Sequence, residues 1–200
     1  MSNRADAAAQ PHAAAHVVRI IGGQWRRTRL AVPDRPGLRP TPDRVRETLF
    51  NWLGQELTGW HCVDAFAGTG ALGLEAASRG AAAVLLVEQD AALAERLRQS
   101  VQRLDAAAVR VLRGDGVAAL RGVAAGSVDL ALLDPPFDAA ALLAPALAAA
   151  AAAVRTGGWV YLESGAPADA AALHALGLQP HRYLKAGAVH AHLLLRMSSS

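Results

Sequence analysis

A glycine-rich run near residue 70 is the first part of this sequence whose residue types could bind a nucleotide-like ligand. Gly68-Thr69-Gly70-Ala71-Leu72-Gly73 satisfies the pattern G-x-G-x-x-G, and Asp64 lies just before it. Glycines at a junction between a strand and a helix let the backbone approach a ligand closely and let the helix pack on the strand. The pattern alone fits dinucleotides and other adenosine cofactors equally well.

Neighbouring carboxylates distinguish between these cofactors. Asp64 would repel a pyrophosphate beside the glycines, but it would attract the cationic amino group and sulfonium centre of S-adenosylmethionine. Glu88, twenty residues after Gly68, is placed to accept hydrogen bonds from both ribose hydroxyls. Asp115 is placed to meet the adenine amine, although a helix N-cap explains it equally well. The predicted cofactor-binding residues are Asp64, Phe66, Ala67, Gly68, Thr69, Gly70, Glu88, Gln89, Asp115 and Gly116.

A second motif, Asp134-Pro135-Pro136-Phe137, ends a predicted strand. Open α/β sheets bind ligands at the carboxyl ends of their strands, so we expect this motif at a substrate site. The two prolines fix the backbone and lack N–H donors, which leaves carbonyl groups free to accept. Asp134 and the Pro135 carbonyl can hold the two hydrogens of an exocyclic amine, and Phe137 can stack on an unstacked base. We predict that these four residues form the catalytic motif.

The chain's charge is concentrated before these motifs. Between Arg19 and Glu47, eight arginines stand against three acidic residues, a net +5, whereas residues 48–200 sum to −2. Such a basic segment is typical of contact with a polyanion, although a solvated face without a partner has the same composition. Trp25 could equally stack on a nucleotide or anchor a small β element. The residues predicted to contact the polyanion are Arg19, Gln24, Trp25, Arg26, Arg27, Arg29, Arg39, Thr41, Arg44 and Arg46.

Alternating strands and helices must position these groups. Two β-prone runs flank Gly22-Gly23, a tight-turn signal, and Thr41 is the expected N-cap of a helix with Pro42 in its first position. The hydrophobic pattern then predicts a parallel sheet covered by helices on both faces. Its predicted strands are 62–66, 84–87, 109–112, 128–133 and 159–163. Helices are predicted at 71–78, at 91–104, in the alanine-rich segment before Gly157-Gly158 and near 168–176, and a terminal hairpin is predicted from 182–185 and 189–195.

Composition narrows the class of protein further. A 200-residue chain that is 52% hydrophobic can build one ordinary domain, and its one cysteine, Cys62, excludes a disulfide framework. Cys62 is expected in the core, and His190 and His192 lack an evident third ligand, so we predict no metal. Neither a signal peptide nor a membrane span is expected, which favours a cytoplasmic location. A monomer is expected as well, although no sequence feature determines the oligomeric state. The predicted organisation is a disordered tail 1–16, a basic element 17–58 and a catalytic domain 59–200.

These motifs resemble those of S-adenosylmethionine-dependent amino-methyltransferases. The upstream residues 19–26, 37–41 and 43–53 narrow the resemblance to the RsmD family of 16S rRNA (guanine-N2)-methyltransferases, over about residues 17–165. The resemblance implies a Rossmann-like class I methyltransferase fold, with a mostly parallel seven-stranded sheet and a small basic N-terminal β extension. It also implies methylation of one guanine N2 in 16S rRNA of the assembled or assembling small ribosomal subunit, with S-adenosylmethionine as cofactor.

Three alternatives stay open at this point. An adenine-N6 DNA methyltransferase would share the Asp-Pro-Pro-aromatic motif. An oxidoreductase with a nucleotide cofactor would share the glycine pattern, although Asp64 argues against it. A non-enzymatic RNA-binding module would use the arginine segment alone.

Overall fold

The computed structural model describes residues 17–32, 41–136 and 139–198. Arg39, Phe137 and the predicted tail 1–16 lie outside these ranges. The strands are β1 (Val17–Arg19), β2 (Arg29–Ala31), β3 (His61–Asp64), β4 (Ala83–Glu88), β5 (Val109–Arg113), β6 (Val128–Leu133), β7 (Val154–Ser164), β8 (Leu178–Ala186) and β9 (Val189–Arg196). The α-helices are α1 (Asp43–Trp52), α2 (Ala71–Ser78), α3 (Ala91–Arg103), α4 (Gly116–Gly122), α5 (Leu143–Ala153) and α6 (Ala170–Ala175).

Seven strands form the central sheet in the order β5-β4-β3-β6-β7-β9-β8. The first five are parallel, and β9 and β8 complete the sheet as an antiparallel hairpin. The chain builds outward from β3 to β5, then returns to the other side of β3 with β6. The crevice between β3 and β6 is therefore the switch point, where sheets of this kind bind ligands. The predicted fold class is confirmed.

Each face of the sheet packs on its own helical layer. One face carries Cys62, Leu86, Leu130 and Leu132, which pack with apolar residues of α1, α2 and α3 and of the small β1–β2 sheet. The other face packs on α4, α5 and α6. Because side chains alternate along a strand, the apolar runs of the parallel strands supply both layers. The N-terminal segment thus shares its core with the central sheet.

The N-terminal elements differ locally from the sequence expectation. Helix α1 begins at Asp43 with Pro42 in the N-cap position and no side-chain cap, so Thr41 is not the N-cap. Gly22-Gly23 does not close a tight turn between adjacent strands, since a longer loop, residues 20–28, joins β1 to β2. Gly23 has a φ of +72°, and a Cβ there would overlap the Ser78 carbonyl. Docking of the loop on α2, rather than turn closure, explains this glycine.

Helix α4, which the hydrophobic pattern did not indicate, follows β5 and is only seven residues long. Strand β7 begins at Val154, five residues before the expected start, and its register with β6 is irregular between Val128 and Leu130. Gly157 and Gly158 lie inside this strand, so glycines that resemble a loop signal mark an irregular strand instead. Among the described residues, no helix is both long and apolar enough to cross a bilayer.

Candidate active site

Three carboxylates gather at the carboxyl edge of the sheet, beside the switch point. In the parallel register Asp64 of β3 aligns with Leu132 of β6, and Leu133 aligns with Leu162 of β7. Asp134 therefore follows β6 next to Glu163, and the two-residue period places both on the same face as Asp64. This is the face covered by α1, α2 and the β1–β2 sheet. The sheet brings together acids that are distant in sequence.

Asp64 is buried, with 1% of its surface exposed. Its Oδ2 accepts a hydrogen bond of 2.9 Å from the Gly73 amide of α2. Its Oδ1 has no hydrogen-bond partner within the described residues. Burial raises the pKa of Asp64 to about 7, with a smaller rise from Glu88 and Glu163, against the lowering effect of the Gly73 and Phe66 amides. A cationic ligand gains the most binding free energy where it meets a buried carboxyl oxygen that has no hydrogen-bond donor.

The glycine-rich loop curls against Glu88 at the end of β4. The Gly68 amide donates to Glu88 Oε2 at 2.9 Å, and the Asp90 amide donates to Oε1 at 2.8 Å. Gly68 and Gly70 have positive φ angles, and Gly70 is the N-cap of α2. Each carboxylate oxygen keeps a second lone pair for a ligand hydroxyl. Gln89, a predicted cofactor-binding residue, follows Glu88 in the chain, and its side chain is exposed.

Asp115 caps helix α4. Its Oδ1 accepts a 2.7 Å hydrogen bond from the Ala118 amide, so the helix-cap interpretation is confirmed. Gly116 is buried, and a Cβ at this position would overlap the Ala65 carbonyl. This close approach places the start of α4 directly beside the loop that follows β3. Contact of Asp115 and Gly116 with a cofactor stays a prediction.

Asp134 is tied to the N-terminal part of the chain by Thr41. The Thr41 hydroxyl donates to Asp134 Oδ2 at 3.3 Å, and Thr41 is itself 4% exposed. Burial and the negative charges of Glu163 and Asp64 hold the pKa of Asp134 well above its usual value, while the Thr41 hydrogen bond lowers it. Pro135 is buried and Pro136 is exposed. The motif therefore turns outward only after Pro135.

Glu163 and Tyr161 belong to this site although the sequence motifs did not indicate them. The Tyr161 hydroxyl donates to Glu163 Oε1 at 2.7 Å, and both residues are at most 3% exposed. Burial raises the pKa of Glu163, whereas hydrogen bonds from Tyr161 and Thr41 and the positive charge of Arg46 lower it. An acidic residue at the end of an otherwise apolar predicted strand, as at Glu88, is the signal that could have found Glu163.

A fully buried carboxylate, Glu75 of α2, joins the N-terminal loop to the sheet's helices. The amides of Ile21 and Gly22 donate to its two oxygens at 2.7 Å each. Arg79 donates to Oε1 at 2.8 and 3.0 Å, and Arg46 lies 3.4 Å from Oε2. No sequence motif indicates this arrangement, because glutamate is an ordinary residue type for the surface of a helix.

The structure corrects the prediction for Arg46. Its side chain is 0% exposed and is bound by Asp43, Glu75 and the Thr41 carbonyl, so it cannot reach RNA. Thr41 is likewise buried, against Asp134. The remaining described arginines of this group are exposed, as is Gln24; these arginines are Arg19, Arg26, Arg27, Arg29 and Arg44.

Trp25 is half-buried and packs against the core, while its amide donates to Ser78 Oγ at 3.0 Å. The anchoring interpretation of Trp25 is therefore confirmed, and stacking on a nucleotide stays a prediction. Cys62 is buried in the core, as expected, and burial raises the pKa of its thiol. His190 and His192 are buried as well. No group of three or more potential metal ligands occurs in the described ranges.

Solved structures of the same topology place this chain among the class I methyltransferase folds. It matches the Escherichia coli protein yhhF, a candidate methyltransferase, with a TM-score of 0.78 and 36% identity over 92% of this chain and 100% of that one. It matches a candidate methylase of Haemophilus influenzae with a TM-score of 0.74 and 29% identity over 92% and 100% of the two chains.

The family model described as "Conserved hypothetical protein 95" matches residues 18–194, and the chain belongs to this family, the RsmD family. The relative named "Ribosomal RNA small subunit methyltransferase D" in Escherichia coli K12 is 48% identical over 126 residues, which is 63% of each chain. The Haemophilus influenzae relative of the same name is 42% identical over 123 residues, 60% of this chain and 64% of that one. The aligned part spans less than two thirds of these relatives.

Replacement of Glu75 by glutamine tests the buried network. Glu75→Gln leaves two guanidinium groups facing a neutral amide, so we expect the free energy of unfolding to fall by about 3–5 kcal/mol. Glu47→Gln, on the exposed side of α1, is the matched control and should change it by less than about 0.5 kcal/mol. Urea unfolding followed by circular dichroism measures both. Equal stability of the two variants would contradict the role given to Glu75.

Proposed function

We propose that this protein transfers a methyl group from S-adenosylmethionine to the exocyclic N2 amine of a guanine in 16S rRNA of the small ribosomal subunit. One observation carries the proposal: the β3–β6 switch point joins an acid suited to a cation, Asp64, to an acid suited to an amine, Asp134. The curated relatives are named as small-subunit ribosomal RNA methyltransferases, which supports the choice of substrate. A cytoplasmic location and an assembled or assembling subunit as partner belong to the same proposal.

The residues present fit the cofactor. Asp64 Oδ1 is buried and lacks a donor within the described residues, as a site for an ammonium group requires. Each Glu88 oxygen accepts one amide hydrogen bond and retains a second lone pair, which suits ribose hydroxyls. When bound, the cofactor supplies a methyl group on a positively charged sulfur. The backbone of the glycine-rich loop would hold it between these two acids.

Asp134 and the Pro135 carbonyl would orient the acceptor amine. The lone pair of guanine N2 is delocalised into the ring, so the nitrogen is a weak nucleophile. Two hydrogen bonds from its N–H groups would direct the lone pair toward the methyl carbon, and such placement supplies much of the rate in well-oriented reactions. Asp134 or water would accept the proton that the N2 amine loses when a methyl group replaces it. Phe137, outside the described residues, is proposed to stack on the base.

The direct test uses labelled S-adenosylmethionine and small subunits that lack the modification. We expect the label in one guanine of 16S rRNA, mapped by nuclease digestion and mass spectrometry, and Asp134→Ala, which removes the acceptor, serves as the inactive control. A parallel reaction contains adenine-bearing DNA. Label in adenine of the DNA, or cofactor binding without any transfer to rRNA, would overturn the proposal.

Cofactor binding should depend on pH through Asp64. Its pKa of about 7 means that the free protein holds a proton there below neutrality, whereas a cationic ligand favours the carboxylate. Binding should therefore release a proton, and affinity should rise with pH by up to about tenfold per unit below pH 7. Titration calorimetry in two buffers of different ionisation enthalpy counts the proton.

Asp64→Asn is the matched control, because it removes this titration but leaves the ligand's own ionisation unchanged. The variant should bind more weakly and with a flatter pH dependence. Identical pH dependence in the two proteins would show that Asp64 does not face the cation.

Thr41 should set the pH at which Asp134 becomes active. The carboxylate form of Asp134 is the stronger hydrogen-bond acceptor for the amine, so activity should rise as pH increases through its elevated pKa. Thr41→Val removes a hydrogen bond to the charged form, and the rising limb of the pH–rate profile should move up by about one unit. Thr41→Ser should restore the original profile, with cofactor affinity unchanged in both variants. A uniform loss of rate at every pH would instead indicate a purely structural role.

The exposed arginines of the β1–β2 element should contribute phosphate contacts. Replacing Arg26, Arg27 and Arg29 by alanine should weaken RNA binding and reduce its salt slope by about 0.7–0.9 for each phosphate that the variant no longer neutralises. The control replaces three exposed arginines elsewhere: Arg96, Arg110 and Arg121. Thermal melting and cofactor affinity should stay close to those of the unaltered protein. An unchanged salt slope in the first variant would show that these arginines are solvated and make no phosphate contact.

A further inference from the structure

We propose that the β8–β9 hairpin is a second RNA-binding surface, on which Tyr183 stacks with an unpaired base while Arg182 and Lys185 contact phosphates. This inference rests on the proposed function, because it assigns part of the same rRNA substrate to a new surface. The residues concerned lie at the opposite end of the chain from the basic N-terminal segment.

The C-terminal segment that contains this hairpin differs in net charge from the preceding part of the domain. Residues 48–169 contain thirteen acidic and eight basic residues, a net −5. Residues 170–200 contain no acidic residue, and they hold Arg182, Lys185, Arg196 and four histidines. Arg182 and Lys185 are exposed. A basic edge free of acidic residues on an otherwise acidic domain fits a phosphate backbone.

Two buried histidines contact the Tyr183 ring and fix its position, while about half of the Tyr183 surface is exposed to solvent. Its hydroxyl lies 2.7 Å from His190 Nδ1, and its ring centroid lies 4.9 Å from that of His192 and 5.9 Å from that of His190. Both histidines are 7% exposed, whereas Tyr183 is 51% exposed. A large aromatic residue on an edge strand normally covers apolar neighbours. A ring fixed by buried partners and open to solvent is instead suited to stack on a base.

The sheet register brings this surface to the same edge as the candidate active site. Lys185 pairs with His190, and His190 pairs with Ser164, the residue after Glu163. Lys185 thus lies level with the carboxyl end of β7, two strands away from it. Helix α1, which carries the exposed Arg44, also contacts β8. By the two-residue period, Tyr183 and Lys185 lie on the face of the sheet opposite to α1 and Asp134, so one RNA strand would reach both surfaces by passing over the carboxyl edge of the sheet.

The experiment measures the affinity of the full chain for a fluorescent single-stranded oligoribonucleotide, together with KM for small subunits. Tyr183→Ala should weaken oligonucleotide binding about 5- to 100-fold and raise KM. Tyr183→Phe keeps the ring and should bind like the unaltered protein. Arg182→Ala with Lys185→Ala should reduce the salt slope by about 1.4. The control is Arg110→Ala with Arg121→Ala, which removes the same charge from other exposed positions.

The outcomes separate this inference from the proposed function. Unchanged oligonucleotide affinity and KM in Tyr183→Ala, while the unaltered protein methylates rRNA, would overturn the hairpin surface and leave the function standing. A higher KM for subunits without any loss of RNA affinity would assign the hairpin to a ribosomal protein, and would also overturn it. Weaker RNA binding by Tyr183→Ala in a protein that transfers no methyl group to rRNA would support the hairpin and refute the function. Cofactor affinity, measured in every variant, shows that the fold is intact.

Discussion

The Glu75 carboxylate is the point on which the arrangement of the site depends. It is fully buried, and it is compensated by two guanidinium groups and by two backbone amides of the β1–β2 loop. A carboxylate in that position is stable only while all these donors are in place, because an unpaired buried charge is costly. The loop that bears the exposed arginines is thereby locked to α2. Arg46, held by the same carboxylate, donates to the Thr41 carbonyl, and Thr41 donates to Asp134. A continuous set of polar contacts thus connects the basic loop to the candidate catalytic acid.

A second constraint is the concentration of negative charge at the switch point. Burial raises the pKa of Asp64, Asp134 and Glu163, and the negative charge of Glu163 raises the pKa of Asp64 and Asp134 further. The positive charge of Arg46 offsets this effect at Glu163. The cluster is therefore poised to gain from a cationic ligand and from the N–H groups of an amine. Both features belong to the proposed cofactor and acceptor, and neither would suit a pyrophosphate.

The positive charge of the chain is distributed around this acidic centre. The exposed arginines of the β1–β2 element lie on one side, and the hairpin with Lys185 lies at the far end of the sheet. Between them, α1 contacts β8. An RNA bound across these surfaces would be drawn by its phosphates to the periphery, while only a neutral base would enter the acidic crevice. Charge separation of this kind favours a base that has left its stack.

The order of strands and helices, both ligand motifs and the RsmD-family resemblance could be predicted from the sequence, because hydrophobic period and glycine or proline spacing are local properties. The N-cap interpretation of Asp115 indicated only the start of helix α4. Its extent and that of the long β7 could not be predicted, since a short helix has little periodicity and glycines inside a strand resemble a loop. Local pattern also placed Arg46 with the surface arginines, whereas only the tertiary structure shows it buried between Asp43 and Glu75. Likewise, only the tertiary structure shows that Glu163 lies beside Asp134. Thr41 is a residue type that indicates a helix cap, and only the tertiary structure shows that it donates to Asp134 instead. Sequence determines which chemical groups are available; the parallel register and the packing of α1 against the sheet determine which of them meet.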